Sequence, residues 1–199
     1  ANLSVTGDYS STTSGTSNLR LGVNAGNSIE SGGTFNTCVG DEAGTAITTG
    51  DHNTYIGYGA GKTSSTQAQN TFIGSAAGDA STGSQNLAVG YNALSTDTNG
   101  EKSTAIGNSA LATQNFTTGT DVFNTAVGYQ AGVSITIGTN NTLVGSNAGD
   151  ALTNVHYNVA VGANSLSADT MGSRSTAVGY AALQTQNLTT ATEVYNAAF

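Results

Sequence analysis

Proline and tryptophan are absent from these 199 residues, cysteine and methionine occur once each, and only four residues are Lys or Arg. Without proline, and with glycines that keep no three-residue period, a collagen-type triple helix is excluded. Charged residues make up 8 % of the chain, against about 25 % in an ordinary globular domain. The charged i, i+4 pairs of a long surface helix are therefore missing, no heptad is present, and a coiled coil is excluded. One cysteine, Cys38, sets no disulfide framework. The formal charge of −8 makes nucleic acid an unfavourable partner. No apolar run reaches the roughly 18–20 residues that cross a bilayer as a helix, so membrane insertion is not expected.

What is left is Thr, Ser, Asn, Gly and Ala, and these are phased. The string Asn-Thr-x-(Val/Ile)-Gly-x-x-Ala-Gly returns about every seventeen residues, beginning at Asn18, Asn36, Asn53, Asn70, Asn86, Ser103, Asn124, Asn141, Asn158 and Ser175, with an eleventh start at Asn196. Disordered linkers have no reason to hold Val or Ile at a fixed spacing, whereas a stacked repeat requires it. The expected organisation is a lead-in or partial repeat over residues 1–17 and tandem repeats over 18–199, as a segment of a longer fibre.

The irregularities repeat as well. The copies at Ser103 and Ser175 carry long tails, ATQNFTTGTDVF and QTQNLTTATEVY, and Lys102 and Arg174 precede them at equivalent places. Position nine of the repeat runs Gly61, Gly78, Leu94, Leu111 and then Gly132, Gly149, Leu166, Leu183. Four copies thus make a super-repeat of about 72 residues, from Asn124 to Asn196.

The fold class expected is all-β: a β-solenoid or triple β-helix fibre with one strand per copy. Position four is aliphatic throughout, as Leu21, Val39, Ile56, Ile73, Val89, Ile106, Val127, Val144, Val161 and Val178. Position eight is Ala in nine copies of ten. Four and eight share parity, so a two-residue side-chain period assigns both to one inner face and makes position four the core stripe, provided that the glycine at five adds no bulge. The first-position Asn residues are expected to stack into an amide ladder, with a Thr column beside them. One aliphatic side chain and one Ala bury too little per coil to offset the ordering of seventeen residues. Association of several chains about a common axis is expected to supply the rest.

These repeats resemble the shafts and heads of phage tail fibres and the head repeats of bacterial trimeric autotransporter adhesins. The resemblance covers Asn18 to Phe199. It implies a homotrimer that attaches a particle or a cell to a surface, with other fibre or baseplate proteins and a glycan or protein receptor as partners. The seventeen-residue spacing leans towards the viral fibre, located in the virion. A surface adhesin and an ice-binding solenoid are the alternatives.

Catalytic signals are weak. Gly57–Thr63 reads GYGAGKT, but a phosphate-binding loop needs Gly where Ile56 stands. His52 and His156 have no ligand-spaced companion, and Asp41, Glu42 and Asp51 lack an Asp-rich glycine loop. No enzyme, metal or cofactor is expected. Tyr58, Tyr91, Tyr129 and Tyr180 share position six. They are read as inter-coil stacking or as a glycan-facing surface.

Overall fold

The computed structural model describes residues 14–199. Most of the expected lead-in lies outside the described residues. From Asn18 onward the chain is a parallel β-solenoid of about 11 coils of roughly 17 residues, with no helix. Each copy contributes one short strand to a single sheet. These are β1 (Leu19–Leu21), β2 (Thr37–Val39), β3 (Thr54–Ile56), β4 (Thr71–Ile73), β5 (Leu87–Val89), β7 (Thr104–Ile106), β9 (Thr125–Val127), β10 (Thr142–Val144), β11 (Val159–Val161), β13 (Thr176–Val178) and β15 (Ala197–Ala198), paired in that order. Two-residue strands lie in the tails: β6 (Gly100–Glu101) pairs with β8 (Thr120–Asp121), and β12 (Gly172–Ser173) with β14 (Thr192–Glu193).

Register follows the repeat. Thr37 stands beside Thr54 and Thr54 beside Thr71, so each repeat position forms a column along the rod. Inter-coil hydrogen bonds run from the position-two N–H to the next coil's position-one carbonyl, as Thr125 to Asn141 at 2.8 Å. They run back from the position-five N–H to the preceding coil's position four, as Gly128 to Ile106 at 2.7 Å.

The inner stripe is position three, not position four. Cys38, Tyr55, Phe72, Ala88, Ala105, Ala126, Leu143, Ala160 and Ala177 are fully buried. The position-four residues are half-buried or exposed: Val39, Val89, Ile106, Val127 and Val161 are half-buried, while Leu21, Ile56, Ile73, Val144 and Val178 are exposed. Parity fails at the glycine. Position five has φ between +124° and +143°, and position seven is left-handed in every copy. This double reversal turns the chain so that Ala at position eight points inward from the opposite parity. A Cβ on Gly128 would lie 2.3 Å from the Gly145 carbonyl oxygen, so the column of position-five glycines is sterically fixed.

Position twelve is also inward, reading Ile29, Ile47, Ser64, Ser81, Asp97, Gln114, Ile135, Leu152, Asp169 and Gln186 along the rod. Positions three, nine and twelve share one volume. Beside the stacked rings of Tyr55 and Phe72 (5.2 Å between centroids), position nine is Gly61 and Gly78 and position twelve is serine. A Cβ at Gly78 would lie 2.5 Å from the Phe72 ring. Where position three is Ala88, Ala105 or Ala160, position nine becomes a fully buried Leu94, Leu111 or Leu166. These leucines hold φ of 50–54°, which costs about 1–2 kcal/mol. Burying each side chain returns about 1.5–3 kcal/mol, so the leucine wins. The single chain therefore encloses its own core, and the expected shortage of burial per coil does not arise.

Candidate functional site

Burial separates an internal polar spine from an outer sheet face. The spine is the first-position Asn column, buried from Asn18 to Asn158. Asn141 shows its chemistry. Its Oδ1 accepts from the Asn158 N–H at 3.0 Å, and its Nδ2 donates to the Asn124 Oδ1 at 3.1 Å and to the Val155 carbonyl at 2.9 Å. Each amide thus ties a coil to its neighbour and to its own tail, as expected of an Asn ladder.

Where Ser103 replaces Asn, Gln114 from the long tail supplies the missing amide. Its Nε2 donates to Ser103 Oγ at 3.0 Å and to Asp97 Oδ2 at 2.6 Å, and its Oε1 accepts from Asn124 Nδ2 at 2.9 Å. Gln186 repeats this set with Ser175, Asp169 and Asn196. Asp97 Oδ1 also accepts the Gly100 N–H at 3.0 Å. Burial raises the Asp97 pKa, and the bonds from Gln114, Gly100 and Phe116 only moderate that rise. Sequence reading noticed Ser and long tail together but missed Asp97 and Gln114, although both stand eleven residues after the copy start. The spine is structural: it is sealed from solvent and open to no substrate.

Outside, positions two and four stand side by side on the exposed face of the sheet. Thr37, Thr54, Thr71, Thr104, Thr125, Thr142 and Thr176 form one column, interrupted by Leu87 and Val159, beside the aliphatic column of position four. Two further columns edge this face. In the column of residues just before each copy start, His52 lies 5.0 Å from Phe35, Lys102 sits 5.5 Å over Phe123, and Arg174 sits 4.8 Å and 5.6 Å from the rings of Tyr157 and Tyr195, and all four rings stay at least half exposed. Lys102 and Arg174 also pair with Asp121 and Glu193 at 2.7 Å and 2.9 Å. At position six, Tyr58, Tyr91, Tyr129 and Tyr180 are 60 %, 55 %, 53 % and 80 % exposed. No ring contact joins them to one another among the described residues.

The remaining sequence signals disperse. Gly57 and Gly61 are turn positions, and the Lys62 ammonium pairs with Glu42 at 2.6 Å. His52 is exposed; His156 is half-buried, accepts the Thr139 N–H at Nδ1 (3.1 Å), and has its pKa lowered by burial and by Arg174. Among the described residues no group of three or more His, Cys, Asp or Glu is placed to hold a metal ion. Cys38 fills the core, and burial pushes its thiol up to about 12, which keeps it protonated and inert.

No family model, no curated protein and no solved structure matches the chain.

Proposed function

We propose that this chain is a non-catalytic structural segment of a virion tail or side fibre that serves attachment to a host surface and assembles as a homotrimer through its outer sheet face. The observation that carries this reading is the aliphatic column on that face. Position four is aliphatic in ten successive strands, with Leu21, Ile56, Ile73, Val144 and Val178 more than a third exposed and the other five half-buried. A continuous exposed apolar strip of this kind marks an interaction surface. Rotation of three copies about one axis brings each strip against the others and buries all three. The rod then carries receptor contacts in triplicate, and weak contacts gain avidity. Assignment to a virion rests on the resemblance of the repeats to tail-fibre shafts.

Light scattering at several concentrations tests the assembly. The expected mass is three times the chain mass of 19.7 kDa. The double variant Val127→Asp, Val144→Asp is expected to fall to one chain mass with its β-sheet circular dichroism retained, because both side chains point out of the coil. A folded wild-type monomer at all concentrations overturns the trimer.

A second reading is favoured by one specific observation. The Thr column, broken at Leu87 and Val159, lies beside the aliphatic column on one sheet face, and a flat Thr column suits an ice-binding surface. Thermal hysteresis by the wild-type protein, lost in Thr125→Leu, Thr142→Leu, supports that reading in place of the fibre.

A further inference from the structure

Three of the position-six tyrosines keep a spacing of their own. Tyr58, Tyr91 and Tyr129 follow β3, β5 and β9, which are alternate strands of the sheet, with β4 and β7 between them. Strands lie about 4.8 Å apart, so these tyrosines stand about 10 Å from one another along the rod. The intervening coils place Ser75 and Asn108 at the same position. Both side chains are shorter than a tyrosine. The rings just before the copy starts are exposed to a similar degree but have Arg174, Lys102 or His52 against them.

We propose that Tyr58, Tyr91 and Tyr129 form a binding site for an extended β-1,4-linked polysaccharide, one tyrosine per disaccharide. In such a chain each sugar is turned by a half-rotation relative to the last. The same ring face therefore recurs once per disaccharide, and that advance is close to two coils. In β-1,4-linked glucose or N-acetylglucosamine every substituent is equatorial, so the ring faces are C–H surfaces that pack on an aromatic ring. The Ser75 and Asn108 side chains meet the sugars between the tyrosines with hydroxyl and amide groups. An α-1,4-linked glucan curves away and cannot keep this register on a straight column. Tyr180 follows β13, three strands beyond β9, and lies out of phase with the other three. This inference rests on the attachment reading above and names the chemistry that the attached surface would carry.

Isothermal titration of the intact chain with chitohexaose, cellohexaose and maltohexaose tests it. At least one β-1,4 hexamer is expected to bind saturably and more tightly than its own disaccharide, with maltohexaose weaker. Tyr91→Ala, the central position, is expected to weaken the hexamer roughly tenfold, while Tyr157→Ala leaves it unchanged. Binding of neither β-1,4 hexamer, equal binding of maltohexaose, or a Tyr91→Ala variant that binds like wild type overturns the site. The light-scattering result is separate: a trimer that binds none of these glycans removes this site and leaves the fibre, whereas a monomer that binds them removes the trimer alone.

Discussion

At the scale of the residue, the buried amides and carboxyls decide most. Asn141→Ala removes three side-chain hydrogen bonds and leaves the Asn158 N–H and the Val155 carbonyl without them. Unsatisfied buried groups cost about 1–3 kcal/mol each, so urea denaturation should show a loss of roughly 2–5 kcal/mol. Tyr55 is the opposite case. Its hydroxyl is buried beside Ser64 and Asn70 without completing a hydrogen bond to either, and burial raises its pKa. Tyr55→Phe is therefore expected to keep or slightly raise the melting temperature.

The pH dependence also belongs here. Burial raises the pKa values of Asp97, Asp79 and Asp150 above their ordinary 3.8. The native state then holds more protons than the unfolded chain just above that value, so stability increases as pH falls through this window. His156, whose pKa is lowered from 6.5, acts in a separate window, and its contribution is lost as pH falls below 6.5. Thermal melts should show stability falling as pH drops below 6.5 and recovering as pH approaches 3.8 from above. A monotonic fall over that last interval would contradict the carboxyl assignment.

At the scale of the coil, the coupled volumes at positions three, nine and twelve are the unit of design. Gly78→Leu puts its Cβ against the Phe72 ring, an overpacking that costs about 1–3 kcal/mol. Phe72→Ala opens a cavity at about 3–5 kcal/mol. The double variant recreates the pairing that Ala88 and Leu94 already hold in the next coil. It should be more stable than the sum of the two losses by about 1–3 kcal/mol in a double-mutant cycle. Strict additivity would show that the two positions do not share volume. The alternation of Gly and Leu at position nine was plain in the sequence, but its meaning was not. The alternation becomes readable only when position three is known to point inward, where Tyr55, Phe72 and Leu143 fill the space beside the position-nine glycines.

At the scale of the whole molecule, the four-coil block is the modular unit. Excision of residues 124–195 joins Asn196 to the coil that ends at Phe123. Gln114 then receives the Asn196 amide, as Gln186 does in the intact chain. This shorter rod should fold and unfold cooperatively, with sheet content reduced in proportion. Excision of 124–190 breaks the register and should give a markedly less stable product.

The period, the all-β class, the Asn ladder and the super-repeat could all be read from the sequence, because stacking places identical positions in contact and so writes itself as spacing. Which face of the strand is inside could not be read. A glycine at φ near +130° and a left-handed residue two places on reverse the side-chain parity, and neither angle leaves more trace in the sequence than a glycine. That one reversal moves Val127 and its column from the core to the surface and seats Ala126 inside. It changes the aliphatic stripe from what holds a coil together into what a coil offers to another molecule. Likewise, Gln114 and Asp97 stand seventeen residues apart in the chain, and only the closure of the coil makes them partners of Ser103 and Asn124.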